Sequence, residues 1–147
     1  VIHVDDSADD LFLFQKACAQ AAVSFQLELL ENGKQALKYL EGAGYYLDRT
    51  RFPIPHFILL DLKMPLPDGF SILRWIRDRH ELNGITLCIF TSSFQYEDIQ
   101  KAYEQGANCF LTKPPAFDGL VRIATAIDQF LVSSDCKKLE ELPEFRR

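Results

Sequence analysis

Short apolar runs that end abruptly in a polar signal recur along this chain, and that recurrence constrains the fold more than any other feature. Val1-Ile2-His3-Val4 leads into Asp5-Asp6, Phe57-Ile58-Leu59-Leu60 into Asp61, Leu87-Cys88-Ile89-Phe90 into Thr91, and Cys109-Phe110-Leu111 into Lys113-Pro114. Apolar runs without polar alternation are typical of strands covered on both faces. Strand-like and helix-like segments alternate five times, which points to βα repetition. The pattern predicts strands near 1–4, 25–30, 56–60, 86–90 and 109–112, and helices near 8–22, 33–42, 69–79, 96–105 and 117–131. The expected architecture is α/β, a doubly wound five-stranded parallel sheet with helices on both faces. The carboxyl ends of such strands share one edge, where open α/β sheets bind ligands.

In the first predicted helix Leu11, Phe14, Cys18, Ala21 and Ala22 recur at helical spacing and form a core stripe, while Phe12 and Leu13 point elsewhere. Leu120, Ile123, Ala124, Ile127, Phe130 and Leu131 form a second stripe in the last helix. Asp5-Asp6 precedes a helix that Ser7 or Asp9 would cap. Asp68-Gly69 marks a helix start and Gly106 a left-handed helix end. The segment from Gly42 to Pro55 exceeds the usual loop length and reads as a surface insertion. Ser133 to Arg147 reads as a polar tail carrying Leu139, Leu142 and Phe145, suited to a short docking helix or to disorder. The chain opens almost inside its first strand, so further residues are expected before Val1.

The 147 residues suit one domain, with 48% hydrophobic and 25% charged residues, the balance of a soluble globular protein. A formal net charge of -5 and the lack of long basic runs argue against direct nucleic-acid binding. No apolar stretch approaches the ~20 residues that span a bilayer, no signal peptide is evident, and a cytoplasmic location is expected. Cys18, Cys88, Cys109 and Cys136 lack metal-binding or redox spacing, and Cys88 and Cys109 are expected as buried thiols. His3, His56 and His80 form no evident ligand set.

Asp5, Asp6 and Asp61 brought to one edge would repel, by roughly 4 kcal/mol per pair at about 4 Å and an effective dielectric near 20. A cation therefore belongs among them. Hard oxygen ligands with room for water suit Mg²⁺, and no loop supplies the six to eight oxygens that Ca²⁺ prefers. With a metal bound, one carboxylate can act as nucleophile toward a phosphoryl group. Asp61 is the best candidate, since it stands alone at its strand end, whereas Asp5 and Asp6 form a pair suited to holding metal. Mg²⁺, the Lys113 ammonium and the Thr91 hydroxyl would each take a phosphoryl oxygen.

Taken together, Val4-Asp5-Asp6, Leu59-Leu60-Asp61-Leu62-Lys63-Met64-Pro65, Asp68-Gly69, Phe90-Thr91-Ser92-Ser93, Gly106-Ala107 and Phe110-Leu111-Thr112-Lys113-Pro114 resemble the receiver domain of two-component response regulators. The resemblance covers residues 1–131 and implies the flavodoxin-like (CheY-like) strand order 2-1-3-4-5, with 132–147 as a tail and no effector domain. It implies that Asp61 is the phosphoacceptor, Asp6 a direct Mg²⁺ ligand, Asp5 a ligand through water, and Lys63 a ligand through its backbone carbonyl. It makes Thr91 the switching hydroxyl, Phe110 the aromatic switch position and Lys113 the phosphate-contacting cation, with a cis peptide expected before Pro114. Phe110 lacks the hydroxyl of the Tyr found there in some members, so only its packing can report the switch. The long loop, the Thr-Ser-Ser turn and the absence of an effector look like the stand-alone regulators associated with bacterial phytochromes. Lys63 departs from the Asn often seen two residues after the acceptor in that subgroup.

The implied partners are a sensor histidine kinase, in that subgroup a phytochrome, or a histidine phosphotransfer protein. A homodimer through the face of the fourth helix, fifth strand and fifth helix is a further expectation. Phe12 and Leu13 would contribute to kinase docking. Two other classes compete: a Mg²⁺-dependent aspartyl-phosphate phosphohydrolase and a phosphorylation-independent binding module. Lys63 stands where the former usually carries a second acid, and the intact set of Asp5, Asp6, Asp61, Thr91 and Lys113 counts against the latter.

Overall fold

The computed structural model describes residues 1–147. Five strands, β1 (Ile2–Val4), β2 (Glu28–Leu30), β3 (Phe57–Leu60), β4 (Thr86–Thr91) and β5 (Cys109–Thr112), alternate with helices α1 (Ala8–Ala21), α2 (Gly33–Glu41), α3 (Gly69–Arg77), α4 (Tyr96–Glu104) and α5 (Phe117–Ser133). A short α6 (Lys137–Glu140) and a two-residue β6 (Phe145–Arg146) follow. The sheet order is β2-β1-β3-β4-β5-β6, parallel through β5. β6 adds a sixth, antiparallel strand that pairs Phe110 with Arg146 and Leu111 with Phe145. The five-stranded expectation is thus extended at one edge. The β5 backbone would otherwise present unpaired donors and acceptors there.

Period-two alternation sorts each strand between two cores. Ile58, Leu60, Leu87, Ile89 and Phe110 face the side covered by α2, α3 and α4. Phe57, Leu59, Cys88, Phe90, Cys109 and Leu111 face α1 and α5, where Phe14, Ile123, Ala124 and Ile127 meet them. The α1 stripe departs from the expected one at its end. Ala17 is buried, Ala21 is only partly so, and Ala22 is exposed in the left-handed region with φ 51°. The helix stops at Ala21, so Ala22 lies beyond it and cannot continue the stripe. Gly106 does take a positive φ of 99°, as expected after α4.

The 42–55 segment is more than a surface insertion. Tyr46 and Phe52 are buried, and the Tyr39, Tyr46 and Phe52 rings meet at centroid distances of 5.0 to 5.9 Å. The Arg49 guanidinium donates to the carbonyls of Tyr39, Leu40 and Phe52 at 2.6, 2.7 and 3.1 Å, closing the carboxyl end of α2. A cation there satisfies free carbonyls and complements the helix dipole. The last residues also pack onto the domain: Leu139 is buried in the α1–α5 core, and the Glu144 carbonyl accepts from the Thr112 N–H at 2.9 Å. No helix is long and apolar enough to cross a membrane.

Candidate functional site at the carboxyl edge of the sheet

Backbone hydrogen bonds that run one residue past the strands bring the site together. The Asp5 N–H donates to Leu30 O at 3.1 Å, the Asp61 N–H to Val4 O at 3.1 Å, and the Lys113 N–H to Thr91 O at 2.8 Å. Parallel register therefore aligns four strand ends, as the repeated motif requires. Asp68 caps α3 by accepting from the Ser71 N–H at 2.9 Å. Gly69 then lets that helix start directly against the acidic strand end, where a Cβ would collide with the Asp61 carbonyl oxygen and the Leu62 Cα.

Carboxylate oxygens of Asp5, Asp6 and Asp61 all lie within 4.8 Å of one another. Asp5 and Asp61 are buried and Asp6 is exposed. Lys113 Nζ stands 2.7 Å from Asp5 Oδ2, 2.7 Å from Asp10 Oδ2 and 3.4 Å from Asp61 Oδ2. One ammonium thus faces three carboxylates, with Asp6 as a fourth acid beside them, and a divalent cation fits the uncompensated charge. The trio is all hard oxygen, with one exposed member open to water, which suits a divalent metal that keeps part of its hydration shell.

The environment pushes the two buried acids apart. Burial raises the Asp61 carboxyl above its ordinary range, with Asp5 adding to the rise, and this outweighs Lys113, the Thr91 hydroxyl and the Lys63 N–H. Burial also acts to raise Asp5, but His3, Lys113 and the Ser7 N–H together hold it below its ordinary value. Burial alone would lower Lys113, yet Asp10, Asp5 and Asp61 hold it above its ordinary value and keep it an ammonium. A cation is then in place beside Asp61 at neutral pH.

Thr91 is buried, and its Oγ1 accepts from the Ser93 N–H at 3.4 Å. The Lys63 N–H donates to Asp61 Oδ1 at 3.4 Å, while the lysine itself is exposed. Phe110 does not reach this edge: it is fully buried in the α2–α3–α4 core that also holds Ile89, Ile99 and Ala102. The peptide before Pro114 is trans, against expectation, and the cis bond lies at Leu66–Pro67 instead. Lys113 extends to the acids from a trans peptide.

Two residues escaped the sequence pattern. Asp10 lies in the first turn of α1, and its spacing one helical turn after Asp6 was the available signal. His3 is fully buried with no hydrogen-bond partner for either ring nitrogen, its Nε2 3.7 Å from Asp5 Oδ2 and its ring edge-on to Phe14 at 5.1 Å. Nothing in an isolated apolar strand marks that placement. Phe12 and Leu13 are exposed on α1, as expected.

Comparison with known proteins agrees with this geometry. The family model described as the response regulator receiver domain matches residues 1–125. Response regulator Rcp1 of Synechocystis sp. is 31% identical over 130 residues, covering 88% of this chain and 86% of that protein. The Mn²⁺-bound crystal structure of Rcp1 superposes with a TM-score of 0.76 at 29% identity, over 91% of this chain and 96% of that one. The phosphorylated cyanobacterial phytochrome response regulator RcpA gives a TM-score of 0.79 at 30% identity, over 91% and 94%. With a matching family model over most of its length and Asp5, Asp6 and Asp61 gathered at the carboxyl edge of the sheet, the chain belongs to the response regulator receiver domain family.

Proposed function

We propose that the protein is a phosphorylation switch in which Asp61 accepts a phosphoryl group from a histidine kinase. The receiver body spans 1–131, and residues 132–147 pack against it through α6 and β6. One observation carries the assignment of roles: Asp61 is the buried acid that Lys113 and Thr91 both neighbour, beside the Asp5–Asp6 pair. An Asp61 carboxylate oxygen attacks phosphorus and forms a mixed anhydride. The bond from phosphorus to the donor breaks, leaving an imidazole from a phosphohistidine or acetate from acetyl phosphate.

Asp6 directly, Asp5 through water, Asp61 and the Lys63 carbonyl would hold Mg²⁺, which supplies charge neutralisation for the transferring group. Lys113 contributes the second cation. The Thr91 hydroxyl turns toward the new phosphoryl oxygens and Phe110 moves into the space it leaves, which changes the face of α4, β5 and α5. The added charge of roughly -1.5 to -2 at one sheet edge is the input. The catalysis is confined to the protein's own phosphorylation and dephosphorylation.

The phytochrome-linked relatives support a sensor kinase of that type as donor, with a histidine phosphotransfer protein as the other source or sink. The output is protein contact, including a homodimer through the α4–β5–α5 face, with no direct nucleic-acid or membrane binding and a cytoplasmic location. Intact-protein mass after incubation with acetyl phosphate tests the chemistry. A Mg²⁺-dependent gain of one phosphoryl group is expected for the wild type and not for Asp61→Asn. No gain in the folded wild type, at any incubation time, would overturn it.

A further inference from the structure

Asp10 has no place in the phosphoryl chemistry outlined above, yet it makes one of the two shortest contacts to Lys113. An ammonium has three N–H donors. Here they are distributed at 2.7 Å to Asp5 Oδ2, 2.7 Å to Asp10 Oδ2 and 3.4 Å to Asp61 Oδ2. The last is longer than an ordinary N–H···O bond. The acid proposed to carry the phosphoryl group therefore has the weakest hold on the cation that would neutralise it.

Local sequence holds Asp10 in this place. Ser7 caps α1 by accepting the Asp10 N–H at 3.2 Å, which fixes the first turn beside the strand ends. Asp10 also differs from Asp5 in its surroundings. The Asp5 side chain is fully buried, whereas that of Asp10 keeps 37% of its surface exposed. If Lys113 left Asp5, a carboxylate in a low-dielectric pocket would lose its counter-charge, a costly loss. Asp10 can return to water, so its pair is the one that can be released cheaply.

We propose that Asp10 is a positioning residue for Lys113: it holds the ammonium toward α1 in the unphosphorylated protein and gives it up when a phosphoryl group forms on Asp61. This rests on the assignment of Asp61 as acceptor. Asp10 thereby competes with the phosphoryl oxygens for one cation, and it sets how firmly the phosphorylated state is held. Neutralising it removes the competitor and strengthens the Lys113–phosphoryl contact. The bound state becomes tighter and the acyl phosphate longer-lived.

The probe is beryllofluoride, a phosphoryl mimic, titrated with Mg²⁺ into the full chain and followed by ¹⁹F NMR. The variants are Asp10→Asn, Asp9→Asn, Lys113→Ala and the Asp10→Asn/Lys113→Ala pair. Asp9 is an exposed acid in the same turn, so its substitution removes the same charge from the same helix end without touching Lys113. Asp10→Asn is expected to bind roughly threefold tighter, the scale of a partly exposed ion pair, with a shifted resonance for the fluorine nearest Lys113. Asp9→Asn is expected to match the wild type. In the Lys113→Ala background the Asp10 substitution should have no effect.

An Asp10→Asn protein that binds like the wild type, or like Asp9→Asn, overturns the proposal. So does an Asp10 effect of full size without Lys113, which would reduce it to general repulsion. Wild-type protein that binds no beryllofluoride overturns the acceptor assignment and this inference with it. Wild-type binding with no Asp10 effect removes only the inference.

Discussion

The carboxyl edge of the sheet and the segment that joins α2 to β3 at the other edge are built on opposite physics. At the first, Asp5, Asp10 and Asp61 gather around the single ammonium of Lys113 with Asp6 beside Asp5 and Asp61, and Asp5 and Asp61 are buried. At the second, Tyr39, Tyr46 and Phe52 pack ring against ring, and Arg49 donates to the Tyr39 and Leu40 carbonyls at the end of α2. Buried rings contribute area and favourable edge geometry, while excess carboxylates contribute repulsion that a ligand can relieve. The aromatic edge stabilises the fold by itself, and the acidic edge leaves stability to be supplied by what binds there.

The sharpest way to break the contrast is to damage the aromatic edge. Phe52→Ala should cost about 3–5 kcal/mol of unfolding free energy, read from a denaturant melt. The folded fraction should still gain a phosphoryl group from acetyl phosphate. Loss of phosphorylation in protein that remains folded would show that the two edges are not independent. Next in size is metal. Saturating Mg²⁺, at about a hundred times its dissociation constant, should add about 2.7 kcal/mol to stability. Asp6→Ala should lose most of that gain, whereas Phe52→Ala should keep it.

The smallest effect sharpens the comparison through pH. In metal-free protein Asp61 has its carboxyl raised by burial, so the folded state favours the protonated form. Its contribution is full in acid and is lost as pH rises through the raised value. Asp61→Asn should therefore raise the denaturation midpoint at neutral pH, with the gain fading in acid. Asp5 has the opposite sign, because its folded value is depressed. Asp5→Asn should lower the neutral midpoint, and that loss should fade as pH falls through the depressed value. Equal pH profiles for the two variants would remove the electrostatic account of this edge.

Five strands and five helices were legible because double coverage leaves strands such as Phe57–Leu60 wholly apolar, and because caps such as Asp68 and Gly106 punctuate the helices. The cluster of Asp5, Asp6 and Asp61 was legible for a related reason: parallel strands bring all their carboxyl ends to one edge. The sixth strand was not, since Phe145–Arg146 is too short for any period to show. Its pairing comes from the open edge of β5. The buried insert was also hidden, because Tyr46 and Phe52 become core residues only when the Tyr39 side of α2 meets them.

The order of residues along this chain determined the βα alternation, the acids at the strand ends and the membership in the receiver family, since each depends on local period or on spacing from a strand end. Tertiary structure alone decided that Lys113 divides its three hydrogen bonds among Asp5, Asp10 and Asp61, that His3 lies unpartnered beside Asp5, and that the last residues close the sheet. Those contacts join residues far apart in the chain. Their strength depends on burial and on distances of a few ångströms, quantities that exist only once the sheet has assembled.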